Sequence, residues 1–399
     1  MKAGWQTKVL ADVCQIRPPK AEARERLSCK ELVSFVPMED LGIGQKILAP
    51  TQTKPLEDVA GSYTYFADGD VLLAKITPCF ENGKLGIADK LTNGIGFGSS
   101  EYIVFRPSPA IDKEWLYYFL SRQSFRDEGA ARMSGAVGHK RVSKEFIESY
   151  PIPVPPLPEQ HRIVAILDEA FNGIATAKAN AEKNLKNARA LFESHLQSVF
   201  TERSEGWVVK KVSEIAKHSL GKMLDKAKNK GDLQPYLRNL NVRWFEFDLS
   251  DLLEMPFLPT EFEKYTAVKG DVLICEGGYP GRAAIWNEDY PIYFQKALHR
   301  VRFHEPELNK WFVYYLSVQD SSGQLKQHFS GTGIQHFTGE VLARFPIPVP
   351  PLPELRLAVA KFDALSDETQ RLESLYQQKL TALDELKQSL LHQAFSGKL

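Results

Sequence analysis

YPIPVPPLPEQHRIVAILD at residues 150–168 and FPIPVPPLPELRLAVAKFD at residues 345–363 are two copies of one segment, 195 positions apart. The core PIPVPPLPE is identical in both. An internal repeat of this kind sets the architecture before any local propensity is considered. At the same offset Leu167 corresponds to Phe362, Ala170 to Leu365, Leu185 to Leu380, Ala188 to Leu383 and Phe200 to Phe395, with no insertion between Tyr150 and Phe200. Upstream the likeness is looser. Gly4-Trp5 recurs as Gly206-Trp207, Gly69-Asp70-Val71-Leu72 as Gly270-Asp271-Val272-Leu273, the stretch Trp115 to Leu120 as Trp311 to Leu316, and Ser134-Gly135 as Ser330-Gly331. Each half therefore runs from a Gly-Trp start through a variable globular part and a proline strap into a long polar tract.

The tract at 159–200 has no proline and one glycine, Gly173. Small or apolar residues fall at Ile163, Leu167, Ala170, Ile174, Ala177, Ala181, Leu185, Ala188 and Leu191. Steps of three and four are the seam of a coiled coil, and the step from Ala181 to Leu185 predicts a stutter. The second tract places Ala358, Phe362, Leu365, Leu372, Tyr376, Leu380, Leu383 and Leu386 on the same stripe, with Thr369 where Ile174 stands. Each tract predicts a helix of roughly 63 Å at about 1.5 Å per residue. A helix so long with so narrow a stripe needs a partner. Its twin is the natural one, although each helix could simply cover its own domain. Pairing predicts an antiparallel coiled coil about a pseudo-twofold axis, separating two globular domains. Pro151, Pro153, Pro155, Pro156 and Pro158 predict a rigid extended strap, with Pro158 and Glu159 suited to the first helical turn. The expected division is a domain at 1–157, a helix at 158–203, a domain at 204–352 and a helix at 353–399.

In the globular parts, FADGDVLLAKITP and AVKGDVLICEGG each read as a turn followed by a buried strand, and GFGSSEYIVFRP and ALHRVRFHEP as later strands. Glu114 to Phe125 and Asn309 to Val318 read as aromatic-rich helices. The expected fold class is α/β or α+β with mixed or antiparallel sheets. The 399 residues carry 43% hydrophobic and 25% charged side chains, a globular composition of two or three domains. Lys plus Arg and Asp plus Glu are 50 each, so any nucleic-acid contact depends on local patches or on a partner's charge. No signal peptide or membrane span is legible, and Cys14, Cys29, Cys79 and Cys275 are scattered without a CxxC pair. Reduced, buried thiols and a cytoplasmic location are expected.

No catalytic pattern is present: no [DNS]-P-P-[YF] tetrapeptide, no GxGxxG after a strand, no GxxxxGK[ST] and no HExxH. No cofactor or metal is expected in this chain. Three stretches of the first half have the donors and glycine-rich loops that DNA contact requires: Lys75 to Lys84, the loop Gly94 to Ser100, and Ser134 to Arg141. Their candidates are Lys75, Lys84, Ser99, His139, Lys140 and Arg141. The second half offers Arg282, Lys296 with His299, and Thr332, Gln335 and His336 of the loop from Ser330. Gln335 suits adenine and Arg282 guanine. Arg238, Asn239 and Asn241 are weaker, because asparagine there can simply close a turn.

The stretches FVPMEDL at 35–41, GDVLLAKITPCFENGK at 69–84 and NGIGFGSSEYIVFRP at 93–107 resemble one class of target-recognition domain in specificity subunits of Type I restriction–modification enzymes. PYLRNLNV at 235–242 and GDVLICEGG at 270–278 resemble a second class, and PIPVPPLPEQHRIV resembles the start of the family's long helices. The resemblance implies two domains, each reading half of a split site in double-stranded DNA. It also implies helices that set the spacer and dock methyltransferase subunits, two in number. Those subunits would bring S-adenosylmethionine, and restriction subunits ATP and Mg. Two other readings stay open. One is a recognition module of a nuclease or methyltransferase with activity of its own; the other is a coiled-coil adaptor that binds no DNA.

Overall fold

The computed structural model describes residues 4–399 except Val137, Lys226, Lys228, Thr332 and Ile334. The chain forms two compact units, Met1–Glu182 with Gln377–Leu399, and Lys183–Tyr376. Both boundaries fall inside the long helices, Leu157–Thr201 and Leu352–Ser396, of 45 residues each. Each unit thus holds a globular part and a portion of both helices.

The first unit contains β1 (Gln6–Val9), β2 (Cys14–Ile16), β3 (Leu32–Val36), β4 (Gln52–Pro55), β5 (Thr64–Ala67), β6 (Val71–Ala74), β7 (Leu85–Ile87), β8 (Ile95–Gly98), β9 (Tyr102–Pro107) and β10 (Pro151–Val154). The second contains β11 (Val208–Lys211), β12 (Ala216–Leu220), β13 (Asp232–Leu237), β14 (Leu253–Phe257), β15 (Thr266–Ala267), β16 (Val272–Cys275), β17 (Ala283–Ile285), β18 (Ile292–Phe294), β19 (Leu298–Phe303) and β20 (Pro346–Val349). The first unit's sheets are ordered β2-β9-β6-β7 and β4-β3-β8-β5, with β1 against β10. In the second they are β12-β19-β16-β17 and β14-β13-β18-β15, with β11 against β20. Each strand has its counterpart ten places on, down to the parallel pairing of β3 with β8 and of β13 with β18. The repeat in the sequence is therefore a repeat of topology through the divergent globular parts as well.

The strap is a strand. Ile152 pairs with Lys8 and Val154 with Gln6, while Pro151 and Pro153 alternate with them. Successive N–H groups of a strand point to opposite edges, so alternate prolines delete donors along one edge only. Ile152 and Val154 are buried. Trp115 anchors the strap by donating from Nε1 to the Pro153 carbonyl at 3.0 Å, and Trp311 does the same to Pro348 at 2.7 Å.

The turn before β6 is fixed by Asp70, whose Oδ2 accepts from the Ala67 amide at 2.8 Å. Its two oxygens also accept from Arg106 Nε and Nη2, at 2.8 and 2.9 Å. Asp271 repeats this with the Val268 amide and Arg302. A buried carboxylate needs such a partner.

The core of the first unit gathers Trp115 and Phe119, Ile163 and Leu167 of the first long helix, and Leu391, Ala394 and Phe395 of the second. The Phe395 ring lies 4.4 Å from Trp115. In the second unit the roles of the helices exchange. Leu355 and Phe362 belong to the second helix, Leu196 and Phe200 to the first, and Phe200 lies 4.5 Å from Trp311. Within the first unit Arg162 reaches the Leu399 backbone oxygen and Lys178 pairs with Asp384, so the two helices run antiparallel. Within the second, Arg189 pairs with Glu373 and Phe200 packs on Phe362, again antiparallel.

Three expectations are corrected. The helix expected from Glu114 to Phe125 is two, Lys113–Leu120 and Gln123–Ala131. Arg122 between them is extended and lays its guanidinium on the Phe119 ring at 3.9 Å. The stretch Gly94 to Ser100 is not a flexible loop: Ile95–Gly98 is buried strand β8 between β3 and β5. Its glycines answer to close packing, because a Cβ on Gly96 would stand 2.2 Å from the Phe66 ring and one on Gly98 2.3 Å from the Val36 carbonyl. Of the cysteines, Cys14 and Cys275 are buried, but Cys29 is exposed and Cys79 half-buried. Among the described residues, no helix is long and apolar enough to cross a membrane.

Candidate nucleic-acid interface

The three stretches singled out in each half meet at one end of the same strands. In the first unit Lys75 follows β6, Ser99 to Glu101 precede β9, and Ser134 and Arg141 pair through an antiparallel bridge. Main-chain bonds tie them together. The Lys75 amide donates to the Glu101 carbonyl at 2.9 Å, the Val142 amide to the Lys75 carbonyl at 3.0 Å, and the Thr77 amide to the Lys140 carbonyl at 2.9 Å. In the second unit the Glu276 amide donates to the Ala297 carbonyl and the Phe337 amide to the Glu276 carbonyl, both at 2.8 Å, and Ser330 and His336 pair through an antiparallel bridge. Lys75, Glu101 and Arg141 thus correspond to Glu276, Ala297 and His336.

The side chains at this place differ completely. In the first unit Glu101 is the hub. Its carboxylate accepts from Arg141 Nε at 2.9 Å and Nη2 at 2.7 Å, and Lys75 Nζ stands 3.8 Å away. The Arg141 guanidinium holds the Glu101 carboxyl below the usual range, with Lys75 and His139 adding to the effect. Burial pushes the Lys75 ammonium down, and its Nζ donates to the Ser100 carbonyl at 2.8 Å. Ser99 Oγ accepts from the Glu101 amide at 3.2 Å. His139, Lys140 and Arg141 are exposed. Arg17, exposed and with φ of 58°, is near enough for its charge to act on Lys75. Such a basic group around one carboxylate can meet both phosphates and base edges.

The second unit presents a cleft of 370 Å³ whose lining includes Met223, Leu224, Gly277, Gln295, Lys296 and His336. Lys296 is exposed within that lining and His336 half-buried, and Gln335, next to His336 in the chain, is exposed. Thr332 lies outside the described residues. Tyr279 is exposed beside the cleft, with the Arg282 guanidinium over its ring at 4.0 Å. Gly278 has φ of 78°, and a Cβ there would stand 2.2 Å from Asn239 Nδ2. This loop therefore requires glycine.

Several candidates are committed elsewhere. Lys84 and Arg282 occupy one position, just before β7 and β17, and each donates to the first carbonyl of the turn after β3 or β13. Lys84 Nζ reaches Met38 at 2.6 Å and Arg282 Nη2 reaches Asn239 at 3.0 Å. Arg238 bonds Asp251, while Asn241, buried, closes that turn through the carbonyls of Asp248 and Asp251. His299 is corrected outright: it is 1% exposed within β19, its Nε2 sits 3.0 Å from the Phe337 carbonyl, and burial pushes its imidazole down to about 4. Arg17 and Glu101 went unnoticed in the sequence, since neither lies in a glycine-rich or basic run. Among the described residues, no group of three or more His, Cys, Asp or Glu side chains is placed to hold a metal ion.

The chain is 39% identical over 162 residues to the Type I restriction enzyme EcoAI specificity subunit of Escherichia coli, covering 40% of this chain and 27% of that subunit. It thus spans about a quarter of that relative's length. In fold it resembles the HsdS subunit from Thermoanaerobacter tengcongensis, with a TM-score of 0.68 at 20% identity over 100% of this chain and 98% of that one. A second solved chain, from work on complex assembly and conformational transition of the type I R-M system, gives a TM-score of 0.78 at 20% identity over 100% and 99%. The family model described as the Type I restriction modification DNA specificity domain matches residues 2–187 and again 204–382. With that model fitted once to each half of a repeat that the strands also obey, the chain belongs to the Type I restriction modification DNA specificity domain family.

Proposed function

We propose that the chain gives a Type I restriction–modification enzyme its DNA sequence specificity. Each unit reads one half of a bipartite site in double-stranded DNA through the loop cluster beyond β6 and β9, or β16 and β19. The long helices set the unread spacer and dock two methyltransferase subunits, and restriction subunits join through the complex. Methyl transfer with S-adenosylmethionine and ATP-driven work with Mg then belong to the partners. The chain itself is a non-catalytic reader in the cytoplasm. One observation carries this reading. The two clusters keep the main-chain bonds that join Lys75 to Glu101 and Val142, and Glu276 to Ala297 and Phe337, while exchanging Lys75, Glu101 and Arg141 for Glu276, Ala297 and His336. A fixed frame with replaceable side chains is what two readers of unlike sequences require. The balanced charge supports it too, since partners can supply much of the phosphate contact.

Methylome sequencing of a host carrying the chain with its methyltransferase partner tests it. The expected result is one motif of two unlike half-sites around an unread spacer. A continuous motif, or none, overturns the proposal, and methyl transfer by the purified chain alone overturns its non-catalytic part.

A further inference from the structure

Arg141 uses its guanidinium in an unusual division of labour. A guanidinium carries five N–H donors in a planar fork. Nε and Nη2 each give one to Glu101, at 2.9 and 2.7 Å, and Nη1 gives one to the His139 carbonyl at 3.0 Å. The two that remain are one on Nη1 and one on Nη2. Neither has a partner among the described residues, and the Nη1–Nη2 edge of a guanidinium is a fork that fits O6 and N7 of guanine in the major groove. The loops bearing the two side chains are both bonded to the Lys75 backbone, so the ion pair stands on a stitched frame. Arg141 stays 45% exposed and Glu101 22%.

We infer that Arg141 reads a guanine in the half-site of the first unit, and that Glu101 is the positioning residue that aims its fork. This rests on the DNA-reading function proposed above. A phosphate is the other partner an arginine could take, and the geometry disfavours it. Glu101 cancels most of the charge that a phosphate would seek and would itself repel the anion. Base reading depends on a fixed plane, which a side-on carboxylate supplies. The second unit has Ala297 and His336 at these two places, so the device belongs to the first half-site alone.

The test selects from a random-sequence duplex library, using the full chain with its methyltransferase partner, as wild type, R141A, R141K and E101Q. Wild type returns a bipartite motif with a guanine in one half. R141A and R141K both lower the preference at that one guanine by about tenfold to a hundredfold and leave the other half-site intact. R141K keeps the charge, so it separates loss of the fork from loss of a cation. E101Q relaxes the same position, while binding to unrelated duplex tightens and its salt dependence steepens by about one charge. A merely structural Glu101 would instead weaken binding to every sequence. Uniform weakening in the arginine variants, with no change in motif, makes Arg141 a phosphate contact and overturns the inference. So does an unchanged motif, or a wild-type motif without guanine. If wild type selects no motif, the DNA-reading function fails as well, and the two failures are told apart.

Discussion

The loop clusters of the two units share most of their main-chain bonds and almost no chemistry. Lys75 and Glu276 donate through equivalent amides, yet one is a cation and the other an anion. Below them the resemblance returns, with Asp70 and Arg106 matched by Asp271 and Arg302, and Trp115 and Phe395 by Trp311 and Phe200. The contrast shows where selection for folding stops. Where the backbone supplies the cross-links, side chains are released from structural duty and can follow the ligand instead.

Exchange of one reader is the strongest way to break this comparison. Replacing residues 1–157 with the corresponding domain of another family member is expected to rewrite one half of the methylated motif completely and leave the other unchanged. The graft should keep aromatic rings at 115 and 119, because Phe395 packs on both. Rewriting of both halves would show that the readers are not independent. Next come the rings that close each core. F395A is expected to destabilise the first unit and F200A the second, each by about 3 to 5 kcal/mol. Hydrogen exchange resolved by unit, alongside thermal unfolding, checks whether each loss stays in its own unit.

Smaller effects sharpen the same contrast. D70A and D271A each remove a buried carboxylate that serves an arginine and a turn amide, for an expected cost of about 2 to 3 kcal/mol. The first should cost more, because Arg106 is 26% exposed against 46% for Arg302 and so regains less water. Equal costs in thermal unfolding would count against that ranking. Acid gives the mildest effect. His299 has its imidazole held down to about 4, against about 6.5 in an unfolded chain. Between these values the unfolded state binds a proton that the folded state does not, so stability falls as pH drops, by about 2 kcal/mol from pH 7 to 5. The counterpart of His299 is Ile103, opposite Leu73 as His299 is opposite Ile274, so the first unit lacks this sensitivity. H299Q should flatten the decline of the second unit; an unchanged pH profile would remove His299 as its cause.

The helices and the repeat were legible because their signals are local: a nine-residue identity, a period near 3.5, and prolines that end every helical alternative. The Gly-Asp turn before β6 and β16 was legible for the same reason. The parallel pairing of Leu32–Val36 with Ile95–Gly98 left no local trace, since its partners lie far apart in the chain. Gly96 and Gly98 were misread for a related reason: what forbids a side chain there is the Phe66 ring and the Val36 carbonyl. In the candidate interface the three stretches were recognisable by glycine and charge. The division of duties among their cations was not, because Lys84 and Arg282 look like surface residues until their carbonyl partners are placed.

The position of Phe395 also bears on how the protein is made. Domains commonly fold as they leave the ribosome, N-terminal first. Here the first unit must wait, because Leu391, Ala394 and Phe395 complete the core that Trp115 and Phe119 begin. At about 5 to 20 residues per second, the interval between Leu167 and Leu391 lasts on the order of 10 to 45 s. The last buried residue of the second unit's core, Phe362, is made before Leu391, although that unit begins later in the chain. The core that is begun first is the one whose residues are completed last, and the half-built first core is the stage at which a chaperone has most to protect.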